Sequence, residues 1–273
     1  MKTIIVPTDF SPVAVNALNY AVDMAIAINA SIMLLHIYQI PVAITDTPLI
    51  LVSVEDLKAD AEKKLETAKQ ELERVTANKV KIYTEARLGN VTDELEELGK
   101  TINPFAVVMG TTGQSAVERV IFGSNTLNVI KHIKWPVICV PTGKAYGGGI
   151  RKIGLASDFR EVAETVPVEA IKTFAAQFNA EFHVLNIHYQ DLPRELPEQS
   201  ALLQSALSAL NPQYHFIESK DLEQGIHEFA ERNNLDLIIT IPKKHKLLEG
   251  IFKKSSTKEL IYHSHIPVMC LHN

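Results

Sequence analysis

The residues with the clearest chemical potential form a spaced glycine motif near the middle of the chain. Two residues separate Gly110 from Gly113, and nine residues separate Gly113 from Gly123, which Ser124 follows. The motif follows a short apolar run and precedes a helix-like stretch. Glycine lets backbone approach a polyphosphate closely, and the free N–H groups at a helix N-terminus attract an anion. The spacing therefore predicts a phosphate-binding loop, although such glycines are also ordinary turn residues and Ser124 could simply cap its own helix.

The chain also repeats itself. Three segments recur in the same order in its two halves: residues 4–10 and 153–159, 29–37 and 179–187, and 135–139 and 266–270. Similarity of this kind indicates a duplication. A glycine-rich stretch between the copies is typical of a linker. We therefore predict a first domain over residues 1–142, a linker over 143–150 and a second domain over 151–273.

Five short apolar runs in the first copy alternate with longer helix-like stretches, and the second copy repeats this plan with a shorter second helix. The runs, rich in β-branched residues, are 4–7, 32–36, 80–83, 106–109 and 137–140. Alternation of strands and helices predicts an α/β fold with a mostly parallel sheet. Ser11 and Ser53 stand where they could cap the two helices that follow them.

Together, Gly110-x2-Gly113-x9-Gly123-Ser124, Pro7-Thr8-Asp9 and the late Pro136-Val137 resemble the ATP-binding signature of universal stress proteins. The resemblance covers the first copy from end to end and the second in layout. It implies a tandem member with two doubly wound, five-stranded, Rossmann-like sheets of the adenine nucleotide alpha-hydrolase type. Since members resembling one copy pair through their last strands, it also implies a pseudo-dimer within this chain, joined through residues 137–140 and 268–271.

The resemblance further implies which residues bind the nucleotide. Adenosine would contact Thr8 and Asp9, and Ile37 and Met109 would form apolar walls for the base. The phosphates would be held by Gly110, Gly113, Gly123, Ser124 and Asn125. Each assignment has a plainer alternative, because Asp9 could cap the first helix and Ile37 and Met109 could belong to the core.

The second copy departs from the motif. When the copies are aligned through Pro136 and Pro267, all three motif glycines are replaced by residues with less backbone conformational freedom. The replacements are Ile241, Lys244 and Lys254. We therefore expect no ATP in the second copy. The lysines at 243–246 and 253–254 would suit another anion or a solvated loop. Eight of the ten histidines fall in this copy, but they show no recognised ligand spacing, so we predict no metal ligands.

Composition excludes several classes of protein. The net charge is −5, with 14 basic and 16 acidic residues before Gly147 and 13 and 16 after it, so neither half is a basic nucleic-acid platform. The chain shows no signal-peptide pattern and no apolar run long enough for a membrane span. Cys139 and Cys270 lie in apolar runs typical of buried thiols. We expect a cytoplasmic protein that binds neither nucleic acid nor membrane.

Three functions fit these observations. We favour a nucleotide-dependent regulatory or stress-response protein that binds ATP, with Mg2+ as a companion ion, in its first domain. The second is a slow ATPase, but the chain has no Gly-x4-Gly-Lys-[Ser/Thr] loop and no evident base, so we predict no catalytic residues. The third is an interaction module with a vestigial loop. The expected partners are an adenine nucleotide and a second copy of the chain, as a homodimer.

Overall fold

Among the described residues, ten strands join into one sheet that runs through both halves of the chain. The computed structural model describes residues 1–40, 53–111, 124–159, 162–188, 197–242 and 256–272. Across the sheet the strand order is β3-β2-β1-β4-β5-β10-β9-β6-β7-β8.

In the first half, the strands are β1 (Thr3–Pro7), β2 (Ser31–Tyr38), β3 (Ile82–Leu88), β4 (Ala106–Gly110) and β5 (Val137–Val140). The helices are α1 (Pro12–Ile28), α2 (Val54–Thr76), α3 (Val91–Ile102) and α4 (Ser124–His132). The two predicted caps are confirmed, since Ser11 Oγ accepts from Ala14 N and Ser53 Oγ accepts from Asp56 N.

In the second half, the strands are β6 (Lys152–Ala156), β7 (Glu181–His188), β8 (Gln213–Glu218), β9 (Leu237–Thr240) and β10 (Val268–Cys270). The helices are α5 (Val162–Thr165), α6 (Val168–Ala175), α7 (Pro197–Leu207), α8 (Leu222–Arg232) and α9 (Ser256–His263). In the first half a single helix, α1, occupies the place that α5 and α6 share here. Pro167 lies between α5 and α6, and its lack of a backbone N–H for the helical hydrogen bond accounts for the break.

The strands are parallel within each half, and the halves meet through one antiparallel pair. At this junction β5 pairs with β10, with Ile138 opposite Met269 and Cys139 opposite Val268. The pairing confirms the predicted α/β fold and the predicted pseudo-dimer through the last strand of each copy. An edge strand of each half is thereby covered inside one chain.

Prediction was least accurate for β3. The apolar run suggested residues 80–83, whereas the strand spans Ile82–Leu88 and includes charged residues. Arg87 Nε lies 2.7 Å from Glu85 Oε1, and Arg87 Nη1 lies 3.3 Å from Glu94 Oε2 in α3. As β3 is an edge strand, charged pairs at its surface are tolerated, and an apolar pattern alone missed them.

In the part of the chain that the structure describes, two hydrophobic clusters form the core, and each draws residues from both halves. One contains Ile4, Ile138 and Met269, and the other contains Val137 and Val268. Cys139 and Cys270 are buried free thiols in the second cluster, as predicted. No described helix is both long enough and apolar enough to cross a lipid bilayer.

Candidate functional site

A crevice opens at the carboxyl ends of β1 and β4. These strands are parallel neighbours, with β2 on the far side of β1 and β5 on the far side of β4. The strand order therefore reverses between them. At such a switch point the connections leave toward opposite faces of the sheet, so the loops part and open a ligand-sized space.

The cavity in this crevice has a volume of about 360 Å³. Six of the nine residues that the sequence predicts for the site line it: Thr8, Asp9, Ile37, Met109, Gly110 and Asn125. Gly113 and Gly123 lie outside the described residues, and Ser124 is described only as the first residue of α4. The fold thus gathers residues from four separate segments into one cavity.

A fixed turn after β1 presents the first of these residues. Thr8 Oγ1 accepts from Phe10 N at 3.0 Å, and His36 Nδ1 donates to Thr8 O at 2.7 Å. Phe10 adopts a left-handed conformation with φ of 62°, which is uncommon for an aromatic residue. Its ring packs on His36, with centroids 4.8 Å apart. These contacts hold the turn against the strain of Phe10.

Asp9 is exposed at the mouth of the cavity. Its Oδ1 accepts from Ser11 N at 2.9 Å, while Ser11 Oγ makes the cap of α1. Ser11 is therefore the cap of α1, and Asp9 stabilises the turn that precedes the helix. Oδ2 has no hydrogen bond to any residue in the described ranges, so one carboxylate oxygen can accept from a ligand hydroxyl.

Helix N-termini, rather than basic side chains, border the described part of the cavity. Three helices begin at its edge and contribute lining residues from their first turns: Val13 and Ala14 of α1, Val91 of α3, and Asn125 and Thr126 of α4. None of the described lining residues is Lys or Arg. An anion there would be attracted by the positive dipole ends of these helices and by the first-turn N–H groups that the caps Ser11 and Asn90 do not engage.

Gly110 has a packing role that the sequence did not indicate. A Cβ at this position would lie 2.5 Å from Val13 Cγ1 and 2.6 Å from Val13 O. The absence of a side chain therefore lets the first turn of α1 sit against the end of β4, which is how α1 reaches the cavity. The glycine was predicted for close approach of a phosphate, and the atoms closest to it are side-chain and backbone atoms of Val13.

The apolar wall of the cavity continues into the core. Met109 is buried and belongs to a core cluster, and Ile37 and Val91 are partly buried against the same cluster. The core role considered for Ile37 and Met109 is therefore real, and both also face the cavity. Sequence reasoning missed Val91, whose only signal was its position directly after Asn90, the cap of α3.

Comparison with known proteins agrees with the duplicated architecture. The sequence model described as "Universal stress protein family" matches residues 1–141 and again residues 149–272. The chain belongs to the universal stress protein family.

Three relatives show the extent of the similarity. A universal stress protein of Methanocaldococcus jannaschii is 30% identical over 146 residues, which are 52% of this chain and 84% of the relative. A solved universal stress protein from Archaeoglobus fulgidus superposes with a TM-score of 0.75 at 19% identity, covering 99% of this chain and 98% of its own. A putative universal stress protein from Pseudomonas aeruginosa gives a TM-score of 0.63 at 14% identity, with 99% and 93% covered. At these identities the two solved structures support the fold.

The second universal stress protein repeat keeps the turn but not the glycine. Ser157 Oγ accepts from Phe159 N at 3.2 Å, Asn186 Nδ2 donates to Ser157 O at 3.1 Å, and φ of Phe159 is 50°. These contacts match those of Thr8, His36 and Phe10.

Strand register then places a larger residue at the end of β9. Val107 pairs with Val137 in the first half and Ile238 pairs with Val268 in the second, so Ile241 takes the position of Gly110. The Ile241 side chain packs against the core. Lys244 and Lys254 lie outside the described residues.

Proposed function

We propose that this universal stress protein is a nucleotide-dependent regulatory protein that binds ATP in its first domain, residues 1–142. The observation that carries the proposal is the convergence of Thr8, Asp9, Ile37, Met109, Gly110 and Asn125 on one cavity at the switch point of the sheet. Its volume of about 360 Å³ lies within the range of small-molecule sites.

Each part of the cavity suits one part of the nucleotide. The free oxygen of Asp9 would accept from a ribose hydroxyl, and the apolar wall of Ile37, Val91 and Met109 would cover the adenine ring. The N-termini of α1 and α4 would face the phosphates. We propose that Gly113, Gly123, Ser124 and Asn125 complete the phosphate site and that Mg2+ accompanies the phosphates.

We propose one ATP per chain. In the second domain, residues 151–273, the Ile241 side chain stands where the first domain has the glycine that lets α1 approach the strand. The helix at that place is interrupted between α5 and α6. In the first domain the N-terminus of the long helix α1 is part of the proposed site. In the second domain the short helix α5 stands in its place.

Binding without efficient turnover is the mode that the cavity supports. Asp9 is the only carboxylate among the described lining residues, and its Oδ1 is already engaged by the backbone of Ser11. Hydrolysis needs a group that orients the attacking water beside the phosphates. We therefore propose that ATP acts by stabilising the folded, occupied form, and that phosphate release is slow at most.

Isothermal titration of the nucleotide-stripped chain with ATP and Mg2+ tests this proposal, with ADP, AMP and cyclic AMP as competitors. We expect one site per chain. Asp9→Asn should weaken binding about tenfold or more, because a hydrogen bond to a charged acceptor contributes roughly 1.5–3 kcal/mol.

The duplication provides the matched control for this experiment. Asp158 occupies the same turn in the second domain, so Asp158→Asn should leave ATP affinity unchanged. Two sites per chain would contradict the proposed difference between the domains. No binding of any adenine nucleotide would instead favour the interaction module.

Association of two chains into a homodimer is a separate proposal. The antiparallel pairing of β5 with β10 already joins the two domains within one chain. A homodimer must therefore use another surface, and light scattering should give about twice the chain mass of 30.3 kDa.

A further inference from the structure

Two Glu-x3-His pairs meet on neighbouring helices of the second domain, away from the cavity of the first. Glu223 and His227 lie on α8, and Glu259 and His263 lie on α9. Residues four apart in a helix share one face, so each pair presents a carboxylate and an imidazole side by side. Buried residues of the same helices, Ile226 and Leu260, lie beside these pairs. The four polar side chains therefore collect at the groove between α8 and α9.

Three of the four side chains lie at the mutual distances of a ligand cluster, and His227 lies beside them. One ligand atom each from Glu223, Glu259 and His263 lies within 4.8 Å of the other two. His263 Nδ1 makes a hydrogen bond to Glu223 Oε1 across the helices, and His227 Nε2 lies 3.9 Å from the same oxygen. Ligands of a tetrahedral zinc ion lie about 2.0–2.2 Å from the metal, so small side-chain rotations would bring these atoms onto one ion.

One atom of the cluster lacks a partner in the part of the chain that is described. His227 Nε2 is buried and makes no hydrogen bond to the described residues. A neutral imidazole nitrogen with a free lone pair is the form that binds metal.

We propose that Glu223, His227, Glu259 and His263 form a binding site for one divalent transition-metal ion of the zinc type. Two carboxylates balance the charge of such an ion, and two imidazoles favour zinc over the oxygen-binding ions Mg2+ and Ca2+. Four protein ligands make a closed, structural site. The ion would fasten α8 to α9, the helix that leads into β10 at the junction of the two domains.

The first domain does not repeat this set of residues. The copies align here with an offset of 131, as shown by the caps Asn90 and Asp221 and by the left-handed Asn103 and Asn234. The aligned positions in the first domain are Thr92, Glu96, Asn128 and His132. Of these, only His132 matches its counterpart, His263. His132 Nδ1 instead bonds to Asn128 O within its own helix. The zinc-type set thus belongs to the second domain, and His132 offers a matched control.

The test is titration of the full chain with Zn2+, without nucleotide and without a histidine tag, after dialysis against a chelator. We expect one Zn2+ per chain, and Co2+ in its place should give the visible absorption of a tetrahedral site. Mg2+ should not compete. Glu259→Gln and His263→Ala should each weaken Zn2+ binding at least roughly tenfold, whereas His132→Ala should not.

Failure of this proposal can be recognised directly. No Zn2+ binding by the unmodified chain would overturn it, and so would Zn2+ affinity that is unchanged in both Glu259→Gln and His263→Ala. Glu259 is partly exposed and glutamine has the same shape, so this variant keeps the helix, which circular dichroism checks. ATP binding is measured separately and does not enter either outcome.

Discussion

Gly110 and Gly154 are both strand glycines, yet their surroundings differ. A Cβ on Gly110 would meet Val13 Cγ1 at 2.5 Å and backbone atoms of Val13 at 2.6 and 3.0 Å. A Cβ on Gly154 would meet the Leu235 Cδ1 atom at 2.6 Å, the flexible end of a side chain. A side chain can rotate away, whereas the first turn of α1 can yield only if the helix moves.

Gly110→Ala should therefore lower the free energy of unfolding by about 1–3 kcal/mol, the usual cost of overpacking. Gly154→Ala is the control and should cost less than about 1 kcal/mol, since Leu235 can change rotamer and alanine is the better strand residue. Urea denaturation followed by circular dichroism measures both. Equal losses would mean that Val13 does not restrain the position of Gly110.

A larger change at Gly110 is a poor probe of ATP binding. Gly110→Val would add more atoms against the backbone of Val13, so a loss of ATP binding could come from displacement of α1. Asp9→Asn is the better probe, because Asp9 is exposed and its turn is also held by Thr8.

At the scale of elements, β7, β8 and α8 enclose a pair of histidines. His183 is 4% exposed, and its Nδ1 lies 3.1 Å from His215 Nε2. The ring of Phe229 packs on His215 with centroids 4.6 Å apart. Burial lowers the pKa of both histidines, and for His183 the neighbouring His215 adds to the effect. Glu181 opposes the shift of His183 but does not reverse it.

These lowered pKa values predict a loss of stability in acid. The unfolded chain binds protons on these histidines near their ordinary pKa of about 6.5, whereas the folded chain binds them only at a lower pH. Stability is therefore fully present above pH 6.5 and falls as the pH drops below it. The urea midpoint should decrease from pH 8 to pH 5.

The double variant His183→Gln and His215→Gln should show a smaller decrease over the same pH range. His132→Gln, at an exposed histidine, serves as the control and should behave like the unmodified chain. Part of the decrease should remain, because burial also lowers the pKa of His227. An unchanged decrease in the double variant would show that this pair does not govern the acid response.

On the scale of the whole molecule, the two domains share one sheet and two cores. Met269 is fully buried, pairs with Ile138 across the junction and lies in a cluster that contains residues of both domains. The single tryptophan, Trp135, lies in the first domain and precedes β5. These connections favour unfolding of both domains in one cooperative transition.

Met269→Ala, a change in the second domain, should therefore shift the transition reported by Trp135 in the first. The expected loss is about 2–5 kcal/mol, since truncation of a buried Met removes packing and leaves a cavity. Tryptophan fluorescence and far-UV circular dichroism should give the same midpoint. A fluorescence transition that stays in place while the circular dichroism changes would mean that the domains unfold separately.

Local patterns in the sequence were sufficient for most of the elements, for the duplication and for much of the candidate site. The caps at Ser11 and Ser53 and the apolar strands are properties of neighbouring residues, so they can be recognised without a fold. The motif residues around Gly110 and Asp9 could be identified because the family signature has a characteristic spacing. The charged edge strand β3 could not be predicted in this way, since its stability depends on its neighbours in the sheet.

Tertiary structure decided what depends on distance between remote segments. The approach of Val13 to Gly110, the contribution of Val91 to the cavity and the antiparallel register of β5 with β10 each join residues far apart in the chain. The Glu-x3-His pairs of α8 and α9 carry no signal singly, because either is an ordinary helix surface. They become a candidate metal site only because packing on the sheet turns the two helix faces toward each other.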